Sequence, residues 1–281
     1  MNESINNIVE KLRFTQFKDY LQPRPRDFYK EKAGHVLVIG GDDGYSGAVR
    51  MAGEAALRTG AGLVSIATRK DHAAILNTTR PEIMCHGVTN ATDCHLLFKK
   101  AKIIIIGPGM GQSPWAKALL QAALQQTVPL VIDADALNLL AKQPSSQKLN
   151  HCILTPHPGE AARLLNLTVS EIQRDRLAAV KQLQKKFGGV CILKGAGSLI
   201  AAPDSSIGLC EAGNPGMATA GMGDVLSGVI AGLLAQDVPL AIAAKMGVCL
   251  HAAAGDLAAH QGQRGMLATD LLLYLRQLVN K

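Results

Sequence analysis

Aromatic side chains are scarce in this chain of 281 residues, where they make up 4% of the sequence and include one tryptophan. Proteins that hold single-stranded nucleic acid stack its bases on aromatic rings, so we expect no nucleic-acid partner. Charged residues are also few, at 18%, whereas hydrophobic residues reach 48%. A disordered chain has the opposite balance. The composition therefore predicts a folded, globular protein.

Three features of zinc-binding, exported or membrane proteins are missing. The six cysteines form no C-x-x-C pair, so their spacing does not indicate a zinc site, and we interpret them as reduced, structural residues. The polar N-terminus, MNESINNIVEKLRF, lacks the apolar segment of a signal peptide. No window of about 18–20 residues is both apolar and uncharged. We therefore expect a cytoplasmic protein with no membrane partner.

The sequence does contain an excess of positive charge. It has 29 Lys and Arg residues against 22 Asp and Glu residues, a net charge of +7. Such a balance suits ligands that carry phosphate. The basic residues form only loose groups, which is typical of a solvated surface.

Short β-branched hydrophobic runs alternate with helical segments along the chain. Such runs are typical of parallel strands buried on both faces, and the alternation indicates βαβ units. The predicted strands are residues 35–41, 62–67, 102–107, 129–133, 151–155 and 190–194. The predicted helices are residues 47–59, 115–126, 160–165, 170–187, 224–236 and 241–260. The sequence thus predicts an α/β fold with a central, mostly parallel sheet and helices on both faces.

The domain organisation follows from the same pattern. Residues 1–29 are predicted to be an N-terminal extension, and residues 30–281 form one α/β domain. Gly228 and Gly232 lie one helical turn apart in a helix whose residues are mostly apolar or small. They predict close backbone packing against a neighbouring helix.

The motif AGMGD, at residues 220–224, immediately precedes that apolar helix. Gly221 and Gly223 allow a tight bend that exposes backbone N–H groups, and the helix adds the positive end of its dipole. The motif therefore indicates an anion site suited to a phosphoryl group in transfer. Asp224 lies at the same point, where it is either a reactive carboxylate or only the N-cap of the helix.

A second motif, TPHPGE at residues 155–160, follows a predicted strand. Its two prolines and its glycine fix a turn, and Glu160 opens a helix. A carboxylate in this place could hold Mg²⁺ through water, since Mg²⁺ keeps much of its hydration shell. His157 is presented on the rigid turn, either to a ligand or as a structural residue.

Other turns have two interpretations each. KGAGS, at residues 194–198, is a hairpin that needs glycine, or it brings backbone and Lys194 close to a nucleotide. GPG, at residues 107–109, is a plain turn or a close approach to a ligand. Asp135 is predicted to cap a helix that follows a strand. The glycine-rich turn at residues 40–47 does not match the P-loop pattern.

Taken together, the chain resembles the ADP-dependent NAD(P)H-hydrate dehydratase family, which has the ribokinase-like fold. The resemblance covers residues ~24–275 and rests on seven segments in order: HVLVIGGDDGYSGA, RTGAGLV, IIIIGPGMG, PLVIDADALNLL, LTPHPGEAARLL, CILKGAGSLIA and GNPGMATAGMGDVLSGVIAGLLAQ. It implies a repair reaction on the S-epimer of NADH or NADPH that is hydrated at C6 of the nicotinamide ring. ADP, or ATP in some members, phosphorylates the hydroxyl, and phosphate then leaves.

The resemblance also implies a role for each residue that matches. Asp224 would be the base, and Gly221, Met222 and Gly223 would form the anion hole, although many members have Thr where this chain has Met222. The hydrated dinucleotide would contact Ala48, Gly109, His157 and Asp224. The nucleotide, ADP or AMP, would contact Lys194, Gly195, Ala196, Gly197, Ser198 and Gly223. Glu160 would lie near Mg²⁺.

Two alternatives stay open. Related vitamin kinases, which phosphorylate a hydroxymethylpyrimidine or a thiazole, share the fold but have Asn where this chain has His157, and this difference favours the dehydratase. A non-catalytic nucleotide-binding regulator would gain little from Asp224. The family further implies an NAD(P)H-hydrate epimerase as a partner, on a separate protein or on the rest of a fusion, and a homo-oligomer, namely a tetramer.

Overall fold

The computed structural model describes residues 9–143, 148–204 and 206–280. Ten strands form one sheet in the order β1-β10-β9-β8-β7-β6-β5-β2-β3-β4. They are β1 Val9–Lys11, β2 His35–Ile39, β3 Leu63–Thr68, β4 Ile83–Gly87, β5 Ile103–Ile106, β6 Leu130–Ile132, β7 Cys152–Leu154, β8 Val190–Leu193, β9 Ser198–Ala201 and β10 Ile207–Cys210. All neighbours pair in parallel except β9, which is antiparallel to both β8 and β10. The predicted, mostly parallel sheet is confirmed.

Helices cover both faces of the sheet. They are α1 Ser46–Thr59, α2 Lys70–Leu76, α3 His95–Lys100, α4 Pro114–Leu124, α5 Ala134–Leu140, α6 Pro158–Leu165, α7 Val169–Arg174, α8 Arg176–Phe187, α9 Met222–Ala235, α10 Leu240–Ala258 and α11 Leu271–Leu278. Alternate residues of the strands supply two separate cores. On β5, for example, Ile103 and Ile105 face one core and Ile104 and Ile106 face the other. This is why the central strands are continuously hydrophobic.

Close packing of α9 on α1 fixes the helix that begins at the candidate anion site. A side chain on Gly228 would overlap the backbone oxygen of Ala52, and a Cβ on Gly232 would lie 2.8 Å from the backbone oxygen of Ala56. The two predicted contact glycines therefore serve as expected. They bring the first turn of α9 to the edge of the sheet.

The N-terminal segment is part of the sheet from Val9 onward. β1 pairs in parallel with β10, and Leu12 and Phe17 are buried in one of the cores. Lys245 of α10 is nearly buried, and its Nζ lies 2.8 Å from Oε2 of Glu10. Part of the expected extension, residues 1–29, is thus joined to the domain through β1, Leu12 and Phe17, while residues 1–8 lie outside the described part of the chain.

One predicted helix needs correction. The single helix expected at residues 170–187 is two helices, α7 and α8, because the backbone of Asp175 is not helical (φ −142°, ψ 79°) and its side chain caps α8. One helix, Leu240–Gln261, is long and apolar enough to cross a membrane by length and composition. It contains Lys245 and Asp256, so the prediction that no such window is uncharged stands. Of its most apolar window, 67% is buried inside the protein, as in a core helix.

All six cysteines are free thiols, as expected. Five of them are buried. Burial raises the pKa of the Cys94 and Cys152 thiols to about 12. These two side chains therefore behave as small hydrophobic residues.

Candidate active site

The candidate site lies at the edge of the sheet where the parallel strands end. Asp133 follows β6, Thr155 follows β7 and Lys194 follows β8, and these three strands are neighbours in the sheet. Ligands of open α/β sheets bind outside the carboxyl ends of the strands. The first turn of α9 reaches the same place, since a Cβ on Gly223 would lie 3.1 Å from Nζ of Lys194.

The N-terminus of α9 is open to a ligand. Its N-cap, Gly221, has φ of 90° and makes no side-chain cap hydrogen bond. This left-handed backbone conformation favours glycine, and a Cβ here would also lie 2.6 Å from Sδ of Met51, whose side chain would have to move. The first N–H groups of a helix have no partner within it. Here no side chain of the N-cap satisfies them, which leaves them to a bound anion.

Lys194 is held below this helix by a buried carboxylate. Its Nζ donates to Oδ1 of Asp133 at 2.8 Å, and Asp133 is 1% exposed. Thr155 Oγ1 donates to the same oxygen, and Ser227 Oγ donates to Oδ2, both at 2.8 Å. Burial acts to raise the pKa of Asp133, but Lys194 and these hydrogen bonds outweigh it and hold the pKa below its usual value. Asp133 is therefore a fixed negative charge.

The pKa of Asp224 is shifted upward, opposite to that of Asp133. Burial, followed by the charge of Asp133, raises its pKa to about 7, although Lys194 opposes the shift. A carboxylate with a pKa near neutrality can accept a proton from a substrate and release it again. Asp224 lies in the first turn of α9 but is not the N-cap, which is Gly221. The N-cap interpretation of Asp224 is wrong.

Glu160 and His157 form a reciprocal cap on α6. Nδ1 of His157 accepts the backbone N–H of Gly159 at 3.0 Å and that of Glu160 at 3.4 Å. Oε2 of Glu160 accepts the backbone N–H of His157 at 2.8 Å. Burial raises the pKa of Glu160 to about 7. His157 thus has a structural role, while half of its side chain stays exposed at the site.

The segment from Lys194 to Ser198 is the turn of a β8–β9 hairpin. Arg176, which sequence reasoning missed, donates to the backbone oxygen of Ala196 at 2.6 Å and to that of Leu193 at 3.3 Å. Gly195 and Gly197 both have positive φ. The hairpin interpretation is confirmed, and Gly195 and Ala196 are exposed where a nucleotide could contact them.

Ala48 and Gly109 lie together on the other side of the site. A Cβ on Gly109 would lie 3.1 Å from Cβ of Ala48 and 2.7 Å from Cβ of Tyr45. The backbone N–H of Gly111 donates to Oδ2 of Asp135 at 2.9 Å, and the charge of Asp135 contributes to the raised pKa of Asp224. Asp135 therefore connects this pair with the α9 end of the site. It does not cap a helix, because Asp133 holds that position.

The glycines after β2 and β5 pack on one another. The backbone N–H of Gly41 donates to the oxygen of Pro108 at 2.9 Å, and that of Asp42 donates to the oxygen of Gly109 at 2.6 Å. A side chain on Gly40 would overlap the oxygen of Pro108. Backbone packing therefore explains the glycines of both turns, residues 40–47 and 107–109. Gly109 remains partly exposed toward the site.

Comparison with known proteins identifies a family. Residues 36–277 match the family described as NAD(P)H-hydrate dehydratase. A bifunctional NAD(P)H-hydrate repair enzyme of Coxiella burnetii is 55% identical over 92% of this chain, which corresponds to 53% of that protein. An ADP-dependent (S)-NAD(P)H-hydrate dehydratase of Neisseria meningitidis is 38% identical over 95% of this chain and 92% of its own length. The chain spans about half the length of the bifunctional relatives.

Solved structures agree with this match. A ribokinase-like superfamily protein from Enterococcus faecalis has a TM-score of 0.87 at 32% identity and covers 97% of this chain and 95% of its own. An ADP/ATP-dependent NAD(P)H-hydrate dehydratase from Bacillus subtilis, co-crystallised with ATP and Mg²⁺, has a TM-score of 0.84 at 28% identity, covering 95% and 97%. A hydroxyethylthiazole kinase from Pyrococcus horikoshii, at 14% identity and a TM-score of 0.62, covers 88% and 89% and shares the fold alone.

Proposed function

The chain belongs to the NAD(P)H-hydrate dehydratase family, and from this premise we propose that it dehydrates the S-epimer of hydrated NADH or NADPH at the expense of ADP. The observation that carries the proposal is the placement of Asp224 in the first turn of an uncapped helix, beside the Lys194 ammonium. A proton acceptor and two sources of positive charge meet there. This combination suits the phosphorylation of a hydroxyl group.

In the first step, Asp224 takes the proton of the C6 hydroxyl. The hydroxyl oxygen forms a bond to the β-phosphorus of ADP, and the bond from that phosphorus to the bridging oxygen breaks, which releases AMP. Backbone N–H groups of Gly221, Met222 and Gly223 would hold the transferred phosphoryl. Their contribution is electrostatic, because phosphoryl transfer depends on position and charge rather than on covalent chemistry from the protein.

In the second step, the lone pair of the ring nitrogen expels phosphate as the C6–O bond breaks. Loss of a proton from C5 then restores the dihydropyridine ring. Phosphate is a far better leaving group than hydroxide, so this step needs little from the protein. Phosphorylation is thus the part of the reaction that the site must catalyse.

The remaining roles follow the grouping of the site residues. We assign the hydrated dinucleotide to Ala48, Gly109 and His157, because the first two lie together and His157 borders the site from α6. We assign the nucleotide to Gly195, Ala196, Gly197 and Ser198, with Lys194 and Gly223 beside the phosphoryl group that it transfers. Exposure of the hairpin turn next to the open end of α9 supports this assignment.

The residues present fit a hydrated Mg²⁺ ion. Among residues 9–143, 148–204 and 206–280, no three His, Cys, Asp or Glu side chains are close enough to hold a metal by themselves. Mg²⁺ usually keeps several waters and binds through one or two carboxylates and substrate phosphates. Asp133, Glu160 and Asp224 outnumber the single ammonium of Lys194. Glu160 would hold the ion through water, and the ion would neutralise charge on the nucleotide phosphates.

The direct test is product analysis with hydrated NADH, ADP and Mg²⁺. We expect NADH, AMP and inorganic phosphate in equal amounts, with the near-ultraviolet absorbance of NADH restored. A run with ATP instead of ADP measures the nucleotide preference. Formation of a stable phosphoester from a vitamin alcohol, with no recovery of NADH, would overturn the proposal in favour of a kinase.

A partner activity completes the proposal. Bifunctional relatives support the pairing with an NAD(P)H-hydrate epimerase, which would convert the unreactive epimer into the substrate. A homo-oligomeric state, such as the tetramer that the family resemblance implies, stays a prediction. Chromatography coupled to light scattering would measure it.

A further inference from the structure

Asp133 is a buried charge that the reaction described above does not use. Its carboxylate already accepts three hydrogen bonds of 2.8 Å, from Lys194, Thr155 and Ser227. Thr155 and Ser227 are fully buried as well. A carboxylate saturated by three donors, one of them an ammonium, is a poor acceptor for a substrate proton. Its contacts instead fix the position of Lys194.

That position is next to the anion loop, which we define as Gly221, Met222 and Gly223. A Cβ on Gly223 would lie 3.1 Å from Nζ of Lys194 and 3.5 Å from Oδ2 of Asp133. The backbone φ of Gly223 is not in the left-handed region. Glycine is therefore suited to this position because of the ammonium beside it. The Lys194 ammonium and the N-terminus of α9 present positive charge to the same space.

A fixed ammonium in this place acts on charge that develops during transfer. The side chain runs from the hairpin turn, where we place the nucleotide, to the anion loop, where the phosphoryl arrives. Since Asp133 holds Nζ, the ammonium is not free to follow the phosphates of the resting nucleotide. An interaction that strengthens only in the transition state raises kcat, whereas one that is equal in both states changes only affinity.

We propose that Asp133 is a positioning residue that holds the Lys194 ammonium against the anion loop, and that this ammonium stabilises the phosphoryl group in transit rather than the bound nucleotide. Thr155 and Ser227 orient the carboxylate of Asp133, and we call these three residues the cradle. The proposal rests on the proposed function, since it names how that site supplies the charge for phosphoryl transfer.

The first test separates catalysis from binding. Lys194→Met removes the ammonium and keeps the length of the side chain. We expect kcat to fall by about 10²–10³-fold, as for the loss of one donor to a developing oxyanion. The dissociation constant of ADP, measured by calorimetry without the hydrate, should change by less than about threefold. A rise in the dissociation constant of ADP by the factor expected for kcat, with kcat itself retained, would overturn the proposal.

The second test asks whether Asp133 acts through Lys194. Asp133→Asn should lower kcat by at least about tenfold. The variant that combines Asp133→Asn with Lys194→Met should have a kcat no lower than that of Lys194→Met alone, because the effects of residues that act as a unit are not additive. An additive loss would contradict the positioning role. Ser227→Ala, which deletes one hydrogen bond to Asp133, gives a milder variant with a smaller loss of kcat.

Glu54→Gln is the matched control. Glu54 is another buried carboxylate, 6% exposed, and it pairs with Arg80 and Arg58 far along α1 from the site. Its substitution should lower thermal stability and leave kcat unchanged. A loss of kcat for Glu54→Gln similar to that of Asp133→Asn would mean that instability explains both.

A third measurement needs no hydrated substrate. AMP with tetrafluoroaluminate imitates a phosphoryl group between donor and acceptor. We expect tetrafluoroaluminate to tighten AMP binding to the wild-type protein and not to Lys194→Met or Asp133→Asn, with AMP affinity alone unchanged. Equal tightening in all three proteins would overturn this inference and leave the proposed function intact. The proposed function would instead be contradicted if tetrafluoroaluminate tightened AMP binding to the wild-type protein but that protein released no phosphate from hydrated NADH.

Discussion

Two carboxylates of the site, Asp133 and Asp224, have pKa values that move in opposite directions. Asp133 stays ionised because an ammonium and two hydroxyls donate to it, whereas Asp224 is partly buried without such a partner and has a pKa of about 7. Environment thus divides the roles between two chemically identical groups. One supplies a permanent charge, and the other can exchange a proton.

The pH dependence of activity should report Asp224. A base acts only when deprotonated, so kcat/KM should fall about tenfold per pH unit below about pH 7 and reach a plateau above it. Phosphate release from hydrated NADH, followed from about pH 5.5 to about pH 8.5, measures this. Activity that increases as the pH falls would show that Asp224 is not the base.

Asp224→Asn is the companion variant. It keeps the size of the side chain and removes the proton acceptor, so turnover should fall by ~10²–10⁴-fold. The affinity for ADP and the thermal unfolding midpoint should stay close to those of the wild type. Turnover within a few-fold of wild type would mean that the proton goes to another group.

Gly223→Val should damage phosphate handling more than Met222→Thr. A Cβ at residue 223 would lie 3.1 Å from Nζ of Lys194. The two methyl groups of valine would displace this ammonium. Met222→Thr changes a buried side chain but leaves the backbone N–H groups in place. Phosphate release at saturating ADP compares the two. Equal losses would count against the assignment of the anion loop.

At the level of elements, the contact between α9 and α1 sets the position of the anion loop. Gly228→Ala should destabilise the protein by about 1–3 kcal/mol, because the new methyl overlaps the backbone of α1. Gly47→Ala is the control, since nothing lies within 4 Å of a Cβ there. It should be neutral or stabilising by about 0.5–1 kcal/mol. Urea unfolding measures both, and a stable Gly228→Ala variant would contradict the packing argument.

The sequence predicted those elements whose pattern is local. Six buried strands and the apolar helices were recognisable because hydrophobic runs and their periods lie within a few residues of each other. β1, β4 and β10, by contrast, were not predicted. β1 and β4 are the two edge strands and lack the continuous hydrophobic run of a strand that is buried on both faces, and Gly208 interrupts the run of β10. The break at Asp175 was hidden because helical periodicity continues on both sides of it.

The candidate site was predicted in part for a related reason. Turn-rich motifs marked the anion loop, the α6 turn and the hairpin, since glycine and proline signal turns by themselves. The cradle around Asp133 has no such signal. Thr155 and Ser227 are common residue types that lie 22 and 94 positions from Asp133. Only the fold brings them together.

At the level of the whole molecule, the N-terminal segment is tied to α10 by the pair of Glu10 and Lys245. Glu10 is about half exposed, so Glu10→Gln should cost about 1 kcal/mol by leaving a nearly buried ammonium without its partner. Adding Lys245→Met should recover part of that loss. Lys11 is on the same strand as Glu10, and Lys11→Gln, which breaks its exposed pair with Glu211, should change stability by less than about 0.5 kcal/mol. Thermal unfolding distinguishes these outcomes, and equal effects of Glu10→Gln and Lys11→Gln would contradict the argument.

The pairing of β1 with β10 also constrains the order in which the protein folds on the ribosome. Val9 pairs with Ile207, so during synthesis this segment waits for roughly 200 further residues before its partner strand exists. Contacts between segments so distant along the chain form late, since their loop-closure entropy must be overcome first. A nascent chain that is arrested before residue 207 therefore has the central strands but no partner for β1, and this strand stays exposed to chaperones and proteases until β10 has been synthesised.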